Sequence, residues 1–190
     1  SIQRDITEYK KLEQDLQILC RTDPLTTAAN RRAFNEILSQ EFSRFKRSQK
    51  EYALIMIDLD HFKSINDQHG HSVGDQVLIE VTERCKDNIR VHDILARLGG
   101  EEFCILLPYT ETKQAQKVAE RLREKIEIKP IIVDGLRVKV TISVGISSEL
   151  RGVMVDMPLP WGKSDQASAP LQVIWRDRDW AAWEIFWFGR

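Results

Sequence analysis

The chain has 190 residues, 42% hydrophobic and 30% charged, an ordinary makeup for a folded protein with one good core. Its 28 Lys and Arg offset 29 Asp and Glu, a formal net charge of −1, so no broad basic field exists to hold nucleic acid. Nucleic acid is excluded as a partner on that ground, and any phosphate-bearing ligand needs a local site. Cys20, Cys85 and Cys104 are odd in number and lack metal-ligand spacing, which predicts buried free thiols in a cytoplasmic domain. No stretch reaches the length of a membrane span, and no signal peptide opens the chain. The first residue is Ser1 rather than Met, so a membrane anchor further upstream in a longer protein stays open.

Residues 1–20 carry a thin apolar seam, Tyr9, Leu12, Leu16 and Leu19, at the 3-4-3 spacing of a coiled coil. Two heptads do not hold alone, so this helix needs a partner or an upstream continuation. An amphipathic helix packed on its own domain fits the same seam. Asp23-Pro24 breaks it. Asn30 then caps a helix that buries Phe34, Leu38, Phe42 and Phe45. Tyr52 to Asp58 is an apolar run of central-strand length. A polar loop follows, then a helix from near Gly74 with Val77, Leu78, Val81 and Cys85 on one face. Ile94–Leu98 and Phe103–Leu107 flank Gly99-Gly100 as a hairpin. Residues 112–128 read as a helix through Ala115, Val118, Leu122 and Ile126. Val133 and Leu136 bracket a tight turn at Asp134-Gly135, before a long alternating strand from Val138 to Ile146. This order predicts an α+β fold, a mainly antiparallel sheet flanked by helices. After Leu150 the pattern changes: Trp161, Trp175, Trp180, Trp183 and Trp187 crowd the final 30 residues, and no periodicity persists.

Asp58 ends the first strand, and Glu101 and Glu102 sit at the hairpin turn. If the hairpin pairs beside that strand, three carboxylates converge at one sheet edge. Like charges withdrawn from water need a partner. A hard divalent cation answers that need, since Mg²⁺ takes a few carboxylates plus substrate phosphates. Gly99-Gly100 strips side-chain bulk where a nucleotide approaches the backbone. Periodicity alone does not separate this arrangement from a solvated strand end, where charged residues are at home.

The strings are more specific. RLGGEEF at 97–103 resembles the signature of the GGDEF family of diguanylate cyclases, in its GGEEF spelling. IDLDHFKSINDQHGHSVGDQVL at 57–78 is similar to the family's long upstream motif, DPLTTAANRR at 23–32 to its opening motif, and TISVGIS at 141–147 to its late strand. The resemblance spans residues 23–147 with the motifs in order. It implies a palm-like sheet of the nucleotidyl cyclase and ferredoxin-like kind. It also implies an enzyme that condenses two GTP into cyclic di-GMP and pyrophosphate, with Mg²⁺ or Mn²⁺ as cofactor.

By that resemblance Asp58, Glu101 and the backbone carbonyl of Leu59 hold the metal, and Glu101 and Glu102 are the catalytic carboxylates. Asn66 and Asp75 read guanine, whose O6 accepts while N1–H and the N2 amine donate. Leu25 and Leu78 wall the base, backbone around Phe62 and Lys63 cradles phosphates, Gly99 and Gly100 admit the substrate, and His71 is a further contact. Each domain presents one GTP, so two must meet face to face. A homodimer through the N-terminal helix and the catalytic domains follows. Arg90 and Asp93 stand at the spacing of the family's RxxD site for product inhibition by cyclic di-GMP, although spacing alone also fits a surface Arg–Asp pair. QRDITEYKKLEQ at 3–14 resembles the end of a PAS sensor domain and its signalling helix.

Two departures stand out. Thr27-Ala28 replaces the family's usual Gly-Leu; if that Gly position is left-handed, Thr costs roughly 1–2 kcal/mol. The family closes with a helix resembling ADxALYxAKxxGRN, whose Lys and Arg bind phosphates. Here Lys163 to Ala167 resembles its start, and Pro170 then interrupts it at a cost of about 3 kcal/mol. A shifted reading frame near residue 168, with an earlier irregularity at 151–162, explains a motif that stops midway. A divergent tail whose Trp and Phe mark an interaction surface is the other reading. The expected organisation is a signalling helix at 1–21, a cyclase domain at 22–150 and a divergent or frame-shifted tail at 151–190. Three functions follow: an active cyclase, a GTP or cyclic di-GMP binding and dimerisation module without catalysis, or a structural remnant.

Overall fold

The computed structural model describes residues 21–148 and the strand at 186–188. A continuous apolar strand needs cover on both faces. That is what β2 (Tyr52–Leu59) finds, every residue but Asp58 being buried. Its sheet also holds β1 (Ala29–Asn30), β3 (Ile94–Gly99), β4 (Glu102–Pro108), β7 (Ile142–Ser148) and β8 (Phe186–Phe188), in the order β1-β3-β4-β2-β7-β8. β1 runs parallel to β3, and the other pairings in this sheet are antiparallel, as the sequence predicts. A separate hairpin joins β5 (Ile131–Val133) to β6 (Leu136–Val138).

Helices α2 (Phe62–His69), α3 (His71–Asp87) and α4 (Thr112–Glu127) cover one face. There Ile55, Ile57, Phe103 and Ile105 share a core with Val77, Leu78, Leu122 and Ile126. The opposite face lies under α1 (Arg31–Ser48), where Phe34 and Leu38 join Leu54, Met56, Cys104 and Leu106 in a second core. Each fully buried side chain of this size contributes roughly 1.5–3 kcal/mol. Cys85 and Cys104 are buried free thiols, as expected. Asn30 caps α1 as predicted, its side chain accepting from the Ala33 N–H at 2.9 Å. The helix stops at Gln49, left-handed at φ 55°, whose N–H donates to the Phe45 carbonyl at 2.7 Å.

Two segments differ from the sequence reading. The polar stretch after β2 is helix α2 rather than loop, and α3 starts at His71 rather than near Gly74. Only Phe62 and Ile65 are buried in α2, and its N-terminus has no side-chain cap, so neither periodicity nor capping announces it. The long strand predicted from Val138 to Ile146 is two strands: β6 pairs with β5, and β7 pairs with β2 from Ile142 onward. Alternating burial continues through Val138, Val140 and Ile142, so the change of partner leaves no mark in the pattern.

The N-terminal seam, the PAS-like stretch, Cys20, Pro170 and the suspected frame shift lie outside the described residues. Of the tail only β8 is described, paired antiparallel with β7. No helix among the described residues is long and apolar enough to cross a membrane. Thr27 does adopt the left-handed conformation, at φ 60°, with its hydroxyl accepting from Lys86 Nζ at 2.9 Å. Relief of that strain outweighs the extra chain freedom of glycine and the loss of an exposed hydrogen bond. Thr27→Gly is therefore expected to raise unfolding free energy by about 0.5–1 kcal/mol in a urea titration. A lower midpoint contradicts this account.

Candidate active site

The pairing of β2 with β4 sets Asp58 opposite Glu102, and its pairing with β7 sets Asp58 opposite Ser143. Residues opposed in an antiparallel pair point to one side of the sheet, with Cβ atoms roughly 4.5–5.5 Å apart. Two carboxylates therefore share the face under α1, and Glu101 adjoins them in the turn. They gather at the end of the central strands rather than at a sheet edge, because β2 is flanked on both sides. Burial is the largest influence on Asp58; with the charges of Glu101, Glu102 and Asp60 it pushes the carboxyl up to about 7. Burial also raises Glu102, against the opposing pull of Arg31, whose Nη2 lies 3.9 Å from Glu102 Oε2. Among the described residues, no three His, Cys, Asp or Glu side chains form a metal cage by themselves. Two carboxylates, a backbone carbonyl and ligand oxygens suffice for Mg²⁺, so this donor set fits.

The acidic turn is strapped in place. Gly99 and Gly100 take φ values of 151° and 51°, conformations that side-chain-bearing residues rarely adopt. Arg97 Nε and Nη2 donate to the Gly100 carbonyl at 3.0 and 2.8 Å, and its Nη1 donates to Asp23 Oδ1 at 3.1 Å. Asp23 Oδ1 also accepts from the Thr26 N–H at 2.9 Å and hydroxyl at 2.7 Å. Burial opposes the charge on Asp23, but the bonds from Thr26 and Arg97 outweigh it and hold the carboxyl below its usual range. Arg31 Nε donates to the Leu98 carbonyl at 2.8 Å. On the far side, Asp60 accepts from the hydroxyls of Thr141 at 2.7 Å and Ser143 at 2.6 Å.

Asn66 is half-buried on α2, its amide against Gly74 of α3, beside the exposed Asp75. His71 and Lys63 are exposed, and Phe62 is buried. Leu25 is half-buried, whereas the side chains of Leu59 and Leu78 belong to the core at 1% exposure, so Leu59 can offer only its backbone. Arg90 and Asp93 do meet, but through the Arg90 N–H, which donates to Asp93 Oδ2 at 2.8 Å. The Asp93 side chain is 3% exposed and its other oxygen is buried without a hydrogen bond, which is unlike a surface ion pair. Sequence reasoning assigned no role to Asp23, Arg31, Asp60, Gly74 or Arg97. The Asp-x-x-Thr spacing of a side-chain turn was the one available signal, for Asp23.

A palm-like α+β sheet with carboxylates at the end of its central strands is the architecture of a nucleotidyl cyclase. The family model described as "Diguanylate cyclase, GGDEF domain" matches residues 20–152, and the chain belongs to that family. Over 132 residues it is 42% identical to the cyclic di-GMP phosphodiesterase NbdA of Pseudomonas aeruginosa, covering 70% of this chain and 17% of that protein. It is 38% identical over 148 residues to the diguanylate cyclase DgcP of the same organism, covering 78% of this chain and 22% of that one. The chain thus spans less than a quarter of either relative. The crystal structure of the coiled coil and GGDEF domain of DgcB from Caulobacter crescentus, in complex with c-di-GMP, superimposes with a TM-score of 0.71. It is 26% identical, and the match covers 81% of this chain and 84% of that one.

A carboxyl raised in the folded state stabilises the fold below its unfolded pKa, and that stability fades as pH climbs through the folded value. Asp58 should therefore make the metal-free protein lose stability between about pH 4 and 7. Thermal scans of the wild type and Asp58→Asn across that range check this. Parallel curves for the two would remove Asp58 as the source.

Proposed function

We propose that this domain condenses two GTP into cyclic di-GMP and two pyrophosphates, with Mg²⁺ or Mn²⁺ as cofactor. The observation that carries the reading is Asp58 opposite Glu102, crowded and raised beside Glu101 at one end of the sheet. Asp58, Glu101 and the Leu59 carbonyl hold the ion, with Glu102 supporting the site. When bound, the metal supplies positive charge at the α-phosphate and to the departing pyrophosphate. Arg97 and Asp23 keep the acidic turn from drifting as ligands exchange.

The first backbone N–H groups of α2, around Phe62 and Lys63, receive phosphate oxygens. Asn66 and Asp75 meet the guanine edge, with Leu25 against the base, the Leu78 side chain behind it and His71 nearby. Gly99 and Gly100 leave room above the turn. The 3′-hydroxyl of the second GTP attacks the α-phosphorus in line, pyrophosphate leaves, and Glu101 takes the hydroxyl proton directly or through water. A second domain must bring that second GTP, so the working unit is a homodimer aligned by the helix at 1–21. Arg90 and Asp93 form the product site: the buried Asp93 oxygen that accepts no hydrogen bond, 3.8 Å from His92 Nε2 and beside an exposed Arg90, supports feedback binding of cyclic di-GMP.

Incubation with GTP and Mg²⁺, followed by chromatography for cyclic di-GMP and pyrophosphate, tests the reaction. Asp58→Ala and Glu101→Ala should each lower turnover at least 100-fold, in line with the loss of transition-state charge stabilisation. GTP binding without product would instead make the domain a nucleotide-binding module. Arg90→Ala should keep the initial rate and weaken inhibition by added cyclic di-GMP by about tenfold, the worth of a bidentate contact. Unchanged inhibition would relocate the product site.

A further inference from the structure

Gly74 lies inside α3, where alanine is the intrinsically better helix former. Its backbone is ordinary helix, so the conformational freedom of glycine does not explain it. Space does. A Cβ built at Gly74 would overlap Asn66 Oδ1, stand 3.0 Å from Asn66 Cγ and 3.2 Å from Phe62 Cζ. The missing side chain is the volume that the Asn66 amide occupies. α2 and α3 are pinned around it, since the Gly70 N–H donates to the Asn66 carbonyl at 2.8 Å and the Gly74 N–H to the Gly70 carbonyl at 3.2 Å. The overlapped atom is the far end of a flexible side chain, so an alanine here would turn the amide away and leave the fold standing.

We propose that Gly74 is a positioning residue for base specificity: its bare Cα seats the Asn66 amide beside Asp75 so that both face the guanine edge. This rests on the proposed role of Asn66 as the guanine reader. The test uses the full 190-residue chain with Mg²⁺ and 3′-deoxy-GTP, which binds but has no 3′-hydroxyl to attack with, and 3′-deoxy-ATP for comparison. Binding is measured by calorimetry for the wild type, Gly74→Ala, Asn66→Ala and the double variant. Gly74→Ala should weaken the guanine analogue about tenfold, the worth of one hydrogen bond, and the adenine analogue less than about twofold. Its melting temperature should not fall. In the double variant the added methyl should cost nothing beyond Asn66→Ala alone, because the group it displaces is gone.

Loss of guanine affinity in Asn66→Ala with none in Gly74→Ala overturns the role of Gly74 and leaves the reader in place. No loss in Asn66→Ala overturns both. Additive losses, or equal losses for the two analogues, make Gly74 a packing residue and overturn the proposal.

Discussion

The register between β2 and β4 is the constraint on which the active end of this domain depends. Asp58 opposes Glu102 because Ile57 opposes Phe103 and Ile55 opposes Ile105, one and three residues earlier on β2. Side chains alternate along a strand, so a slip of one residue would turn Ile55 and Ile57 out of their core and Asp58 into it. Apolar packing on both faces thus enforces a charge arrangement that would repel itself if left free. The raised Asp58 carboxyl is the electrostatic trace of that enforcement.

The same frame explains why the recognisable strings lie so far apart in sequence. Asp23 belongs to the first, Asp60 to the second, Arg97 and Gly100 to the third, and Thr141 and Ser143 to the last. Arg97 ties the first to the third, and the hydroxyls of Thr141 and Ser143 tie the last to the second. β2 carries the start of the second motif between β4, which begins in the third, and β7, which begins in the fourth. Each string is a piece of one end of one sheet.

The sheet and its main helices were legible where burial sets a period. β2 reads as a solid apolar run because helices cover both its faces, and α4 reads through Ala115, Leu122 and Ile126 because one face is buried. Helix α2 was not legible, since its order comes from packing on α3 and from Phe62 and Ile65 in the shared core rather than from a stripe of its own. The acids could be named from the strings, but not their straps. A guanidinium such as that of Arg97, reaching Asp23 across 74 positions, leaves no local pattern, and the reason for Gly74 is the side chain of another helix. The break between β6 and β7 escaped because the pleat continues while the hydrogen-bonding partner changes.

On the far helix the chain follows the ordinary rules: Arg123 on α4 bridges Glu120 and Glu127, three residues before and four after it, at 2.6 Å each. Around the acids the rules are broken together: a carboxyl pushed towards its neutral form, a left-handed His61 at φ 56° in place of a side-chain cap, and a glycine inside a helix. Such violations persist only where surrounding structure holds them, and they concentrate where a ligand relieves them. On the proposed reading two needs of opposite sign meet here. The acids crowd three negative charges against one half-exposed guanidinium, that of Arg31, and the first turn of α2, which begins four residues after Asp58, has no side-chain cap. A bare metal ion answers the first need and a bare phosphate the second. A metal-bound nucleoside triphosphate answers both at once, which makes it the ligand this end of the sheet is best built to take.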